Sequence, residues 1–239
     1  MKQLITGGCS FSECISPWIR TWPRQLSTAL PDYQHVSTAM GSQGNGLISR
    51  RVIYQVTETL KHTAAEDILV GIMWSGPDRH DFYVRQVPEI LKEDGWMENP
   101  TKFIKDSTGA WAIMNDGWKM HHAKLYYTEF HTRIGSLIYT FEHILRTQWF
   151  LKQKGVKYFM TTYTGEVIPN FIKTLADTKH LYNEVDFSKF LPIIGEYEWC
   201  RDHSGLPFPM LNDPHPSSDQ HQVFTDQIIL PFLKEKNLI

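Results

Sequence analysis

The stretch DILVGIMW, residues 67–74, decides the fold class of this chain of 239 residues. It is an almost unbroken apolar run with the length of one β-strand, and such runs are typical of strands that are buried on both faces of a sheet. Strands of this kind occur in parallel sheets that are covered by helices on both sides. We therefore expect an α/β protein with a central parallel sheet.

The segments that precede this run alternate between strand and helix patterns. Residues 3–8 and 33–40 predict strands, whereas residues 21–30 and 47–62 predict helices. Pro23 would lie in the first turn of the first helix, where its missing N–H costs no hydrogen bond. Strands that alternate with helices form parallel sheets through crossover connections, so we predict a three-layer α/β/α architecture of the flavodoxin-like kind.

The second half of the chain continues this pattern after an interruption. Residues 85–123 mix glycine, proline, aromatic and charged residues without a sustained period, and we predict that they form an inserted lobe within one domain that spans residues 1–239. The remaining elements predicted from the patterns are a hairpin around GAWAIM (109–114), a long helix at about 124–154, a strand at 156–163, a helix near 168–178 and a last helix with a capping box at Ser217 and Gln220.

Composition excludes several classes of function. The chain has 24 lysine and arginine residues against 26 acidic ones and no basic block, so we expect no nucleic-acid partner. No stretch approaches the ~20 apolar residues of a membrane span, and the N-terminal residues do not resemble a signal peptide, so we expect a cytoplasmic protein without a membrane partner. Three cysteines at unrelated spacings predict neither a disulfide framework nor a zinc site.

Polar residues cluster at four places where the predicted fold would bring them together. Ligands bind at the carboxyl ends of the strands in an open parallel sheet, and three clusters follow predicted strands. The fourth precedes the last predicted helix. The clusters are GGCSFS (7–12), GSQGNG (41–46), WSGPDR (74–79) and NDPHPSSDQH (212–221).

The order and content of these clusters resemble the SGNH (GDSL-like) hydrolase superfamily. Gly8-Cys9-Ser10 stands where that family has Gly-Asp-Ser, AMGSQGNGLISRR resembles its second block, and ILVGIMWSGPDRHDFY resembles a divergent third block. NDPHPSSDQH resembles the Asp-x-x-His block that precedes the last helix. The resemblance implies the SGNH form of the α/β/α fold. It also implies a serine hydrolase that acts on acyl or acetyl esters, including O-acetylated carbohydrates, without a metal or another cofactor.

Three residues in these clusters have the chemistry of a catalytic triad. A serine hydroxyl is a weak nucleophile until an imidazole takes its proton, and a carboxylate holds that imidazole in the right tautomer. We assign Ser10 as the nucleophile, His215 as the base and Asp213 as the residue that orients His215. Asn212 is the alternative orienting residue, because it has the family's three-residue spacing from the histidine.

Two other side chains near Ser10 are alternative nucleophiles. Cys9 is more reactive by type, but adjacent residues in an extended segment point in opposite directions, so Cys9 and Ser10 are not expected to share a pocket. A small buried cysteine is the simpler interpretation. Ser12 is the other candidate, and its simpler role is to close the turn.

An oxyanion needs hydrogen-bond donors that are fixed in advance. The resemblance draws these donors from the amide of Ser10, from Gly41 or Gly44, and from an asparagine in the third block. In this sequence Ser75 stands at the asparagine position, and a serine hydroxyl is a poorer fixed donor. Asn45 lies within the second block, directly after Gly44, and is the candidate for a replacement side-chain amide.

Two further residues of the third block are candidate substrate contacts, namely Trp74 and Arg79. Packing of Trp74 in the core and a salt bridge from Arg79 to a neighbouring aspartate are the simpler interpretations. As alternative functions we consider a non-catalytic SGNH-like domain that binds a glycan or serves in assembly, and a thiol enzyme that uses Cys9.

Overall fold

The structure, a computed structural model, describes residues 1–13, 19–84, 110–116, 121–209 and 213–239. Its strands are β1 (Lys2–Gly7), β2 (Tyr33–Ser37), β3 (Ile68–Trp74), β4 (His80–Val84), β5 (Ala110–Met114) and β6 (Lys157–Thr162). Its helices are α1 (Trp22–Ala29), α2 (Asn45–Thr59), α3 (His121–Glu129), α4 (Arg133–Gln153), α5 (Ala176–Glu184), α6 (Glu196–His203), α7 (Ser218–Phe224) and α8 (Leu230–Glu235). Short 3₁₀ turns occur at Ala65–Asp67, Gly165–Val167, Asn170–Lys173 and Phe187–Lys189.

The central sheet is parallel, with strand order β2-β1-β3-β6. Every residue of β3 is buried, because this strand pairs with a neighbour on each side and has helices on both of its faces. The predicted α/β fold with a central parallel sheet is therefore confirmed, and the apolar run at residues 67–74 is one of its two inner strands.

Two cores lie on opposite faces of the sheet. Residues that point to one face pack against α2 and α4, as Val70 does with Val52 and Ile144. Residues that point to the other face, such as Leu69, pack against Trp22 of α1 and the C-terminal helices. Because successive residues of a strand point to opposite faces, one apolar strand supplies both cores and produces the three layers.

The helix predicted at about 124–154 is two helices. The side-chain oxygen of Thr132 accepts a hydrogen bond from the amide of Gly135 at 3.0 Å and caps α4, so α4 begins as a separate helix at Arg133. Phe130 and Ile134 fit the helical period but are 73% and 40% exposed. The predicted helix near 168–178 is likewise replaced by a 3₁₀ turn at Asn170–Lys173 and by α5, which begins at Ala176.

The predicted inserted lobe falls partly outside the described residues, since 85–109 and 117–120 are not among them. The described part contains β5, which overlaps the predicted hairpin segment and pairs antiparallel with β4. These two strands form a separate two-stranded sheet. Because β4 begins at His80, this departure from the main sheet starts directly after the third polar cluster.

The predicted capping box at the last helix is confirmed. Ser217 accepts a hydrogen bond from the amide of Gln220, and the side chain of Gln220 accepts one from the amide of Ser217. The hydroxyl of Ser218 accepts from the backbone N–H of Arg20, just before α1. These contacts hold the start of α7 against the N-terminal part of the chain. After α7 the helix continues through a π turn at Thr225–Ile229 into α8.

Within the described residues, no helix combines the length and the apolar character that crossing a membrane requires.

Candidate active site

Ser10 lies in a tight turn directly after the central strand β1. The amides of Ser12 and Glu13 both donate to the carbonyl of Cys9, at 2.9 and 3.0 Å. A Cβ atom at Gly8 would collide with the side chain of Ser12, so this turn requires a glycine at that position. The turn presents the Ser10 side chain at the carboxyl end of the sheet, where parallel sheets bind their ligands.

Three side chains form a continuous hydrogen-bonded chain at this point. Ser10 Oγ is 2.7 Å from His215 Nε2, and His215 Nδ1 is 2.5 Å from Asp213 Oδ1. Asp213 Oδ1 also accepts a hydrogen bond from the backbone N–H of His215 at 3.0 Å. The Phe11 ring lies 4.8 Å from the His215 ring, centre to centre, and supports the imidazole from one side. The structure thus brings together the three residues that the sequence assigned as a triad.

The electrostatics of the three hydrogen-bonded side chains suit proton transfer from Ser10 to His215. Hydrogen bonds from the backbone and then from the ring of His215 lower the pKa of Asp213, so its carboxylate is ionised. An ionised carboxylate holds the ring proton on Nδ1 and leaves Nε2 free to accept the hydroxyl proton of Ser10. The side chains of His215 and Asp213 are about one-third exposed, which leaves the pair open to a substrate.

The two alternative nucleophiles face other surroundings. Ser12 Oγ accepts a hydrogen bond from Trp22 Nε1 at 2.9 Å in a buried position, so it serves the packing of α1. Cys9 is 0% exposed and packs in the apolar core. Neither side chain shares the position of Ser10 beside His215. Asn212, the alternative orienting residue, lies outside the described residues.

Two candidate oxyanion donors lie in the turns beside Ser10. The backbone N–H of Ser10 donates to none of the described residues. The backbone N–H of Gly41 donates to the carboxylate of Glu13. Glu13 follows Ser10 by three positions and was not among the sequence-predicted site residues. Its carboxylate therefore occupies a donor that the resemblance assigns to the reaction.

Gly44 and Asn45 do not supply the expected donors. The Gly44 amide donates to Asp81 Oδ1 at 2.9 Å. Both protons of the Asn45 side-chain amide are used, one by the carbonyl of Ser75 at 3.0 Å and one by Thr140 Oγ1 at 3.1 Å. The Ser75 amide donates back to Asn45 Oδ1 at 2.7 Å. Asn45 thus fixes the loop after β3 rather than facing Ser10.

Three predicted site residues remain, at the end of β3 and after it, and the structure corrects two of them, Ser75 and Trp74. The side chain of Ser75 is fully buried and its Oγ has no hydrogen-bond partner among the described residues, so it does not face the open site. Trp74 is fully buried, and its Nε1 donates to the sulfur of Met160 at 3.2 Å. It is a core residue rather than a substrate contact. Arg79 lies over the ring of Tyr163 at 5.5 Å, next to the active-site turn.

A second pair of a carboxylate and an imidazole lies behind the site. Glu196 Oε1 is 2.7 Å from His221 Nδ1, and the two side chains are 0% and 1% exposed. Burial raises the pKa of Glu196, although His221 and His215 oppose that shift. The sequence contains no local signal for this pair, because its members are 25 positions apart.

Two cavities lie near the carboxyl end of the sheet or beside it. The larger, about 940 Å³, runs along the outer side of β6, and no member of the triad lines it. The smaller, about 270 Å³, lies between α2, α4 and the start of β4. Among the described residues, no group of three or more histidine, cysteine or acidic side chains is arranged to hold a metal ion.

Comparisons with known proteins bear on the fold. No family model matches the chain, and no curated protein matches it. The crystal structure titled TesA is similar, with a TM-score of 0.53, 14% sequence identity and coverage of 100% of both chains. At this identity the likeness concerns the fold, and it shows that the described α/β architecture corresponds to TesA over the whole length of both chains.

Proposed function

We propose that the protein is a serine hydrolase that cleaves an acyl or acetyl ester through Ser10, His215 and Asp213. The observation that carries the proposal is the unbroken contact from Ser10 Oγ through His215 to Asp213, at 2.7 and 2.5 Å. The fold agrees with it, since the α/β architecture that the resemblance implies is also the one that the chain shares with TesA. The alcohol part of the ester can be a carbohydrate hydroxyl, as the resemblance implies.

The reaction follows from the roles of these groups. His215 Nε2 takes the proton of Ser10 while Oγ attacks the ester carbonyl, and the negative charge develops on the carbonyl oxygen. The Ser10 amide stabilises this oxyanion, and the Gly41 amide joins it when Glu13 moves away. His215 then gives its proton to the departing alcohol, which leaves an acyl group on Ser10. Water, deprotonated by His215, releases the acid and restores Ser10.

A non-catalytic role in binding or assembly is the second candidate function. Two observations favour it. Ser75, whose hydroxyl is buried, stands at the position of the family's asparagine donor, and the carboxylate of Glu13 accepts from the Gly41 amide. Loss of one oxyanion donor typically lowers the rate by about 10²–10³-fold. Such a site retains the triad side chains without supporting efficient turnover.

A fluorophosphonate probe tests both candidates and the thiol alternative. We expect covalent labelling of the wild type and of Cys9→Ala and Ser12→Ala, and no labelling of Ser10→Ala. Mass spectrometry of the labelled peptide should place the phosphonyl group on Ser10. A folded wild type that takes up no label, or label that disappears only with Cys9→Ala, would overturn the proposal.

A further inference from the structure

The smaller cavity, about 270 Å³, is lined by basic and aromatic side chains that the proposed reaction does not use. They come from α2, from the loop after β3, from β4 and β5, and from α4. The six that matter are Arg50, Arg79, His80, Trp111, Tyr139 and His143. We call this space the basic cavity.

The side chain of Arg79 is hydrogen-bonded to Cys9, but two of its donors have no partner in the described part of the chain. Its Nε and Nη1 atoms are buried and have no hydrogen-bond partner among the described residues. Leaving charged donors buried and unpaired costs free energy, and an anionic group that accepts from them removes this cost. Burial works against the charge, but the nearby side chains of Cys9, Tyr163 and Asp78 raise the pKa of Arg79, so it is cationic.

The carboxylates of the described residues do not meet this need. Asp81 lines the basic cavity, but its two oxygens accept from the amides of Gly44 and Leu47, each at 2.9 Å. Asp81 therefore caps the N-terminal end of α2. Burial raises its pKa to about 6, while those two amides and the nearby arginines favour its charged form. Asp78 lies near Arg79 but accepts no hydrogen bond from Nε or Nη1.

The rest of the lining adds positive potential. Arg50 is exposed, and its guanidinium stacks on the Trp111 ring at 4.7 Å, which leaves its outer face open. Burial, together with Arg146 and Arg50, lowers the pKa of His143 to about 3, so this imidazole is a neutral hydrogen-bonding group at physiological pH. Two arginines thus line the cavity, together with one carboxylate that is already hydrogen-bonded.

Two aromatic contacts connect Arg79, which lines the basic cavity, with the residue beside Ser10. The Arg79 guanidinium lies over the Tyr163 ring, and that ring is 5.1 Å from the ring of Phe11, the residue after Ser10. Arg79 is therefore two ring contacts away from the residue that follows Ser10. Its flexible side chain can turn its donors toward the cavity by rotation about its torsions.

We propose that the basic cavity binds an acidic group of the ester substrate, a carboxylate or a phosphate, chiefly through Arg79 with Arg50 at its rim. This inference rests on the proposed hydrolase function and narrows its substrate class to small acidic esters. A planar guanidinium presents paired donors that match both kinds of group. The volume admits an acidic group with a few carbon atoms but not a long acyl chain.

Matched pairs of esters test the proposal through turnover. Monoethyl succinate against ethyl pentanoate tests an acidic acyl part. Acetoxyacetate and 2-acetoxyethyl phosphate against 2-methoxyethyl acetate test an acidic alcohol part, as carboxylate and as phosphate. We expect the wild type to have a higher kcat/KM for at least one acidic ester than for its neutral partner. A wild type that prefers the neutral member of every pair would overturn the proposal.

Variants decide whether Arg79 causes that preference. In Arg79→Gln the acidic-to-neutral ratio of kcat/KM should fall by about tenfold to a hundredfold, the value of a charged hydrogen bond. Arg79→Lys should retain part of the ratio, and Arg50→Gln should lower it less than Arg79→Gln does. The control is Arg201→Gln, which removes an exposed arginine on α6 that pairs with Asp202 and should leave the ratio unchanged. An unchanged ratio in folded Arg79→Gln would contradict the inference.

A binding experiment separates this inference from the proposed function. Inorganic phosphate and succinate are titrated into Ser10→Ala, with thermal unfolding and calorimetry as the readouts. We expect at least one of these anions to bind. Its affinity should fall about tenfold when Arg79→Gln is added to Ser10→Ala. If that double variant does not fold, Arg50→Gln is added instead, and the affinity should again fall about tenfold. Absence of binding by both anions would overturn the inference. This arm decides the inference even if no ester is cleaved and no probe labels Ser10.

Discussion

Asp213–His215 and Glu196–His221 are both carboxylate–imidazole pairs, with contacts of 2.5 and 2.7 Å, and they lie on neighbouring segments of the fold. The first pair is 36% and 34% exposed, whereas the second is 0% and 1% exposed. In the exposed pair hydrogen bonds lower the pKa of the carboxylate, and in the buried pair the loss of hydration raises it. The same two residue types therefore serve different ends. One imidazole has a hydroxyl within reach of its second nitrogen, and the other pair sits in the interior of the protein.

The largest expected difference between the pairs is in catalysis. His215→Asn should lower kcat/KM for an ester by about 10⁴-fold, because the Ser10 hydroxyl then has no base. The matched variant His221→Asn should lower it by less than about tenfold as long as the protein is folded. Both are measured by steady-state kinetics, with circular dichroism as the control for folding. Equal losses in two folded variants would mean that the distinction between the pairs is wrong.

The second expected difference is in stability, and here the buried pair, rather than the exposed pair, has the larger effect. Glu196→Ala should lower the free energy of unfolding by about 3–5 kcal/mol, because it removes one partner of a buried pair. Asp213→Ala should change it by less than about 1 kcal/mol, since that carboxylate is partly exposed. Urea unfolding of both variants measures the two values. A larger cost for Asp213→Ala would contradict the assignment of the structural role to the buried pair.

A smaller effect on activity is expected from Glu13, whose carboxylate accepts from the Gly41 amide near Ser10. Glu13→Ala frees the Gly41 amide for the oxyanion and should raise kcat/KM by about threefold to tenfold, a fraction of the full value of one donor. Glu13→Gln is the matched control, because it keeps an acceptor for that amide and should stay close to the wild type. A loss of activity in Glu13→Ala with unchanged stability would show that the carboxylate assists the reaction instead.

The smallest expected effect is on the pH dependence of stability, and the two carboxylates should act in opposite directions. The pKa of Asp213 is lowered in the folded state, so its contribution to stability is lost as the pH falls below about 4. The pKa of Glu196 is raised in the folded state, so the folded protein holds this proton more tightly than the unfolded chain does. Its contribution to stability is therefore lost as the pH rises from about 4.3, the pKa of a free glutamate, through the pKa that Glu196 has in the folded state. In Asp213→Asn the free energy of unfolding should fall less steeply as the pH drops below about 4. In Glu196→Gln it should fall less steeply as the pH rises above about 4.3. Urea unfolding at a series of pH values checks both slopes.

The sequence allowed the main fold to be predicted because the signal is local. A strand that is buried on both faces is apolar at almost every position, and residues 67–74 show this directly. Helical periodicity was less reliable, since Phe130 and Ile134 match the period of the predicted long helix and yet are exposed. The break at Thr132 depends on a cap whose effect periodicity does not reveal.

The sequence allowed the meeting of Ser10 and His215 to be predicted through the order of the polar clusters. It did not reveal how the intervening amides are used. Asn45 binds the backbone of Ser75, which is 30 positions away, and Gly44 binds Asp81, which is 37 positions away. Such pairings depend on how the loops pack. Amide groups that the sequence offers as oxyanion donors are therefore already hydrogen-bonded within the fold.

The separation of Ser10 from His215 has a consequence for the synthesis of the protein. These residues are 205 positions apart, so the ribosome produces Ser10 long before it produces His215. At ordinary elongation rates this delay is roughly ten to forty seconds. During that interval the nascent chain carries the Ser10 hydroxyl without the imidazole that the proposed reaction requires. The contact between Ser10 and His215 is therefore formed late in translation.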